Sequence, residues 1–154
     1  MQRMLRAAVI IPILVCALHS AAQKQDRVYW QAASNNAAAI TGDITISEAK
    51  LSLNLMGFPL ASIRSLQPAE VSAVFDADVD TAGPGTLYRL KIPAGQRFVH
   101  KNTLCGGEDT QWMAAYVKGK SLQVAFFSGG EAPVFTFDAI AHSSNLCGTY
   151  SYVR

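Results

Sequence analysis

Residues 40–55 read ITGDITISEAKLSLNL. Ile40, Gly42, Ile44 and Ile46 fall on one parity, and Thr41, Asp43, Thr45 and Ser47 on the other. Leu51, Leu53 and Leu55 repeat the pattern, with Ser52 and Asn54 between them. A period of two is that of a strand with one face in a core and the other in water. The polar Ser47-Glu48-Ala49-Lys50 separates the two stretches, so they predict a hairpin with Ile46 near Leu51 and Ile44 near Leu53.

The alternation extends in both directions. Residues 27–33 (RVYWQAA) predict a first strand, and residues 58–66 are a weaker strand candidate. Over residues 72–80, Ala73, Phe75, Ala77 and Val79 share one parity, and Asp76, Asp78 and Asp80 the other. Thr81 to Gly85 breaks the run, and residues 86–92 place Tyr88, Leu90 and Ile92 opposite Arg89 and Lys91. The register that keeps both apolar faces inside sets Asp78 opposite Arg89 and Asp76 opposite Lys91, with Val79 beside Tyr88 and Ala77 beside Leu90. Residues 110–117 and 122–127 flank Lys118-Gly119-Lys120 as a further hairpin. After a break at 128–133, residues 134–140 predict a strand with Phe135 and Phe137 on one face, and residues 147–153 a last strand with Tyr150 and Tyr152 together. Helix is confined to at most a short turn over 68–72. Eight or nine short strands predict an all-β chain, a single small antiparallel barrel, with a two-sheet β-sandwich as the alternative. Hairpins that follow one another without long crossovers favour the barrel.

The N-terminal residues read as a leader. Arg3 and Arg6 precede the 12-residue apolar run AAVIIPILVCAL at 7–18, and Ser20 and Ala22 are small. This predicts a cleavable secretory signal over 1–22, cut after Ala22, and one domain over 23–154. The run is shorter than the roughly 20 residues that cross a bilayer as a helix. Cys16 lies within it, but Val15 occupies the preceding position, where a lipid-attachment site wants a small residue. The expected mature protein is secreted or periplasmic, with no membrane span. Its formal charge is 0, because the chain's +2 excess is Arg3 and Arg6. Nothing here selects nucleic acid or anionic lipid. Cys105 and Cys147 remain, 42 positions apart, and predict a disulfide. Closing that loop is worth about 4 kcal/mol in the chain-entropy model.

Chemistry-bearing motifs are few. Asp76, Asp78 and Asp80 begin like a calcium loop, but Thr81 and Leu87 stand where the loop needs Gly and Glu. His100 and His142 have no further ligands at metal-binding spacing, so no metal or cofactor is expected. Arg97, His100 and Lys101 form a cationic stretch that reads as surface, or as an anion-contacting patch. There is no Gly-x-Ser-x-Gly, Ser128-Gly129-Gly130 reads as a turn, and Glu108 and Asp109 are adjacent rather than facing across a groove.

The expected function is therefore a non-catalytic, inhibitor-like module that recognises another extracytoplasmic protein through its loops. The candidate loops are Gly83-Pro84-Gly85, Gly106-Gly107-Glu108-Asp109 and Gly129-Gly130-Glu131, with Trp112, Tyr150 and Tyr152 as aromatic anchors. The alternative is a carrier of a small apolar ligand in a lipocalin-like cavity. Against it, Val28-Tyr29 precedes Trp30 where the lipocalin entrance motif has Gly-x-Trp. A small envelope hydrolase is a third option.

Overall fold

The structure is a computed structural model that describes residues 27–154. The expected leader over 1–22 lies outside the described residues. Eight antiparallel strands form a closed barrel: β1 (Val28–Ala32), β2 (Ile44–Ile46), β3 (Lys50–Leu53), β4 (Met56–Leu66), β5 (Gly85–Ile92), β6 (Thr110–Lys118), β7 (Ser121–Ser128) and β8 (Leu146–Val153). Each strand pairs with the next, and β8 returns to β1 through Gln31↔Val153 and Ala32↔Tyr152. Closure leaves no free sheet edge.

The β2–β3 hairpin has the expected register, Ile44↔Leu53 and Ile46↔Leu51. The predicted strands do not extend beyond it. Ile40 belongs to a π-helical turn, Ala37–Thr41. Leu55 is fully exposed in the turn that joins β3 to β4, where Asn54 and Leu55 take φ 46° and 68°. Residues 58–66 do form a strand, within the 11-residue β4. The β6–β7 hairpin turns where expected, with Gly119 at φ 59°.

Two predicted strands are replaced by helix and loop. Residues 72–80 do not pair with β5, because Pro68–Phe75 forms helix α1. Pro68 opens the helix, and the Gln67 N–H donates to Glu70 Oε2 at 2.9 Å, three residues on. Those are helix-start signals. Val71 and Val74 then lie one turn apart on a buried face. Asp76 ends the helix in the left-handed region, φ 52°. The expected Asp78–Arg89 and Asp76–Lys91 pairs do not form; β5 instead pairs with β4, Leu60↔Leu90 and Ala61↔Arg89. Residues 134–140 likewise hold helix α2, Phe137–Ala141, capped by Thr136 Oγ1 accepting from the Ala139 N–H at 3.2 Å. Phe135 is buried while Phe137 is exposed, so the two do not share a face.

The helices explain why there are two cores. The barrel interior holds Trp30, Leu51, Phe58, Met113, Leu122, Phe126, Tyr150 and Tyr152 among others. Its upper end is plugged by Ala37, Phe98 and Leu104 from the β1–β2 and β5–β6 connections. The second core lies outside the barrel, where Val71 and Val74 of α1 and Phe135 cover Leu87, Trp112, Ala114, Tyr116, Ala125 and Phe127. β6, β7 and the Leu87 end of β5 are therefore buried on both faces. The Cys105–Cys147 disulfide forms, with Cα atoms 4.9 Å apart, and ties the long β5–β6 connection to β8. A disulfide is compatible with an extracytoplasmic location. Among the described residues, no helix is long and apolar enough to cross a membrane.

Candidate functional site

The outer face of β5 and β6 brings two of the three candidate loops to neighbouring basic residues of β5, one to Arg89 and one to Lys91. Arg89 and Trp112 are cross-strand partners, and strand pleat puts both on the outside of the barrel. The Arg89 guanidinium carbon lies 4.4 Å from the centroid of the Trp112 ring. Such a cation–π contact is worth about 0.5–2 kcal/mol, more as water is excluded. Arg89 also donates to Gln111 Oε1 at 2.6 Å and to the Gly130 carbonyl at 3.1 Å. The guanidinium is thus held over an indole and fastened to the loop that contains Gly129, Gly130 and Glu131.

The second loop joins through Asp109. Its Oδ1 accepts from the Ala94 N–H at 3.0 Å, and its Oδ2 lies 3.8 Å from Lys91 Nζ. The Lys91 side chain is 77% exposed, so this ion pair contributes little stability and leaves the ammonium open to a partner. Gly106, Gly107 and Glu108 extend from Asp109 as an exposed tip beside the disulfide. Between the lysine and the arginine, Pro59, Ala61 and Gln111 help line a shallow depression of about 360 Å³.

The other predicted positions fall elsewhere. Gly85 is buried, and a Cβ there would come within 2.9 Å of the Ala115 carbonyl and 3.0 Å of Val71. It is a packing glycine under α1, and the loop Gly83-Pro84-Gly85 lies at the lower end of the barrel, away from the other two. Tyr150 and Tyr152 are 2% and 0% exposed inside the barrel and cannot anchor a partner from outside. Burial raises both phenols, Tyr150 to about 12, and the Tyr152 hydroxyl shares a 2.7 Å hydrogen bond with Thr41 Oγ1. Trp112 is 8% exposed and supports the site from beneath Arg89. His100 and Lys101 sit in the left-handed region at the upper end, where the Lys101 carbonyl accepts from Arg97. His142 faces Asp138 at 3.3 Å on α2. Among the described residues, no three of His, Cys, Asp and Glu are placed to hold a metal ion.

A smaller depression of about 200 Å³ opens at the lower mouth of the barrel, over Trp30, Ala115 and Leu122. Pockets for drug-sized ligands run from about 300 to 1,000 Å³. Arg154 roofs it, 4.8 Å from the Trp30 centroid.

Arg89 is the residue that sequence reasoning missed, because it was paired with Asp78. A signal was present. Trp112, Ala114 and Tyr116 alternate with Met113 and Ala115, so both faces of β6 are apolar and the outer one needs cover. Comparison with protein-family models, with curated proteins and with solved structures gives no match, so the functional reading stands on this geometry.

Proposed function

We propose that this chain is an exported, non-catalytic binding module that recognises another extracytoplasmic protein through the face built on Arg89 and Trp112. The observation that carries the reading is an arginine seated over a tryptophan and fastened to the 129–131 loop, with the 106–109 loop tied close by through Asp109 to Lys91 and the Ala94 N–H. Arg and Trp dominate binding energy at protein interfaces, and a side chain already fixed loses less entropy on binding. The Lys91 ammonium beside Arg89 is 77% exposed and only loosely paired with Asp109, so it can add to a cationic edge suited to a carboxylate on the partner.

A photo-crosslinking residue at position 111, with the same residue at position 52 on the outer face of β3 as control, tests this in the native envelope or secreted fraction. The expected result is a discrete, saturable adduct from position 111 that Arg89→Ala abolishes. Equal adducts from both positions, or none from position 111, overturn the proposal.

A further inference from the structure

A second depression lies on the same outer core but at the opposite end of β6. It measures about 260 Å³ and sits between the segment that leaves α1 and the lower ends of β6 and β7. Phe75 and Tyr116 form an aromatic part of its wall, stacked with centroids 6.2 Å apart and planes 22° from parallel. Asp76 and Asp78 line one side, Lys118 and Gln123 the other. Tyr116 is 3% exposed, yet its hydroxyl has no hydrogen-bond partner among the described residues. Buried phenols almost always find a partner, and an orphaned one calls for an explanation.

One of the two carboxylates, that of Asp78, is fastened to the backbone. Asp76 adopts the left-handed conformation that ends α1. Asp78 accepts from the Asp80 N–H through its side chain at 3.0 Å and from the Ala82 N–H through its carbonyl at 2.7 Å. Phe75, the last residue of α1, is partly buried against the outer core.

We infer that this depression is a binding site for a neutral, hydroxyl-rich ring, a saccharide unit. The wall offers carboxylates that only accept, an ammonium that only donates, and an amide and a phenol that do both. A sugar hydroxyl both donates and accepts, so a ring of hydroxyls can satisfy all of these at once. Its C–H faces suit the apolar surface of Phe75 and Tyr116. A simple anion would face two carboxylates and one ammonium, and a simple diamine would leave the ammonium opposed. The site is separate from the Arg89 face, and its failure would leave the protein-recognition proposal standing.

Amide chemical shifts of the mature, disulfide-bonded protein provide the test, with glucose, galactose and N-acetylglucosamine as probes and putrescine, acetate and alanine as contrasting ones. At least one saccharide should shift the amides of residues 75–78, 116–118 and 121–123 in a saturable way. Tyr116→Phe, which keeps the ring and its packing, should weaken that saccharide several-fold without lowering the melting temperature. Gln123→Ala should weaken it as well. Three outcomes overturn the inference: no saturable saccharide response, a response to putrescine, acetate or alanine in place of the sugars, or unchanged binding by Tyr116→Phe.

Discussion

The β2–β3 hairpin and the β6–β7 hairpin belong to one barrel but meet different surroundings. Ile44, Leu51 and Leu53 point into the barrel, while Thr45 and Ser52 lie on the outer, solvent side. In β6 and β7 the interior takes Met113, Leu122, Val124 and Phe126, and the outer face takes Trp112, Ala114, Tyr116, Ala125 and Phe127. One hairpin needs alternation; the other needs apolar residues on nearly every position. The helices follow from that difference. An outer apolar face on β5–β7 costs free energy in water until α1, α2 and Phe135 cover it. The covered half also carries the candidate site, because a rigid, doubly packed sheet is what can hold Arg89 and the loops around it in one geometry.

Truncation of the outer core gives the sharpest contrast. Phe127 is 0% exposed and meets Phe135 edge-on at 5.8 Å. Phe127→Ala should cost about 3–5 kcal/mol, whereas Thr45→Ala on the outer side of β2 should stay within about 0.5 kcal/mol. Urea denaturation of both variants measures this, and equal losses would mean that the outer face of β7 is not a core.

Next in size is the disulfide. Replacing Cys105 and Cys147 together by Ser should lower stability by about 2–4 kcal/mol. Hydrogen exchange would show where. The β5–β6 connection, whose Phe98 and Leu104 plug the barrel, should lose protection before β6 and β7 do. Uniform loss across both hairpins would break the division into two halves.

How well the sequence could be read divides along the same line. The β2–β3 register was legible to the residue because only one of its faces is buried. The helices were not, because residues that cover an outer core fit either period. Ala73, Phe75, Ala77 and Val79 alternate, but Val71, Val74 and Phe75 also keep helical spacing, and the Pro68–Glu70 start signal decides between them. Phe135 and Phe137 misled in the same way, with Thr136 as the overlooked cap. Two of the three candidate loops were legible as Gly-rich breaks. That one is fastened to Arg89 and the other to Lys91 was not, since it depends on β5 pairing with β4 and β6 rather than with residues 72–80.

Smaller effects separate the halves further. Thr136→Ala removes the α2 cap and should cost about 1 kcal/mol, measured by thermal unfolding. In the other half, Asn54 and Leu55 form a two-residue turn with both φ positive and Leu53 opposite Met56. That turn favours Asn-Gly. Leu55→Gly should therefore raise stability by about 0.5–1 kcal/mol, since it relieves a left-handed leucine that packs against nothing. A loss of stability would show that Leu55 has a folded-state contact.

The smallest effect argued for the covered half is a pH dependence. Arg64 on β4 makes a bidentate pair with Glu70 of α1, both N–O distances 2.8 Å, and its guanidinium lies 5.8 Å from the Phe135 centroid. The Arg64 hydrogen bonds hold the Glu70 carboxyl below its ordinary value, with help from the Gln67 N–H. A carboxyl whose pKa is depressed by folding stabilises the fold above its unfolded pKa of about 4.3, and loses that contribution as pH falls through the folded value. The Arg64 side chain is 46% exposed, so solvent screening limits the contribution to a few tenths of a kcal/mol. Glu70→Gln should show no stability deficit of its own below pH ~3 and a small one at pH ~7 relative to the parent chain. With both measured by urea midpoints, a deficit that persists undiminished in acid would show that the charge of Glu70 in the clamp between β4 and α1 is not what the variant loses.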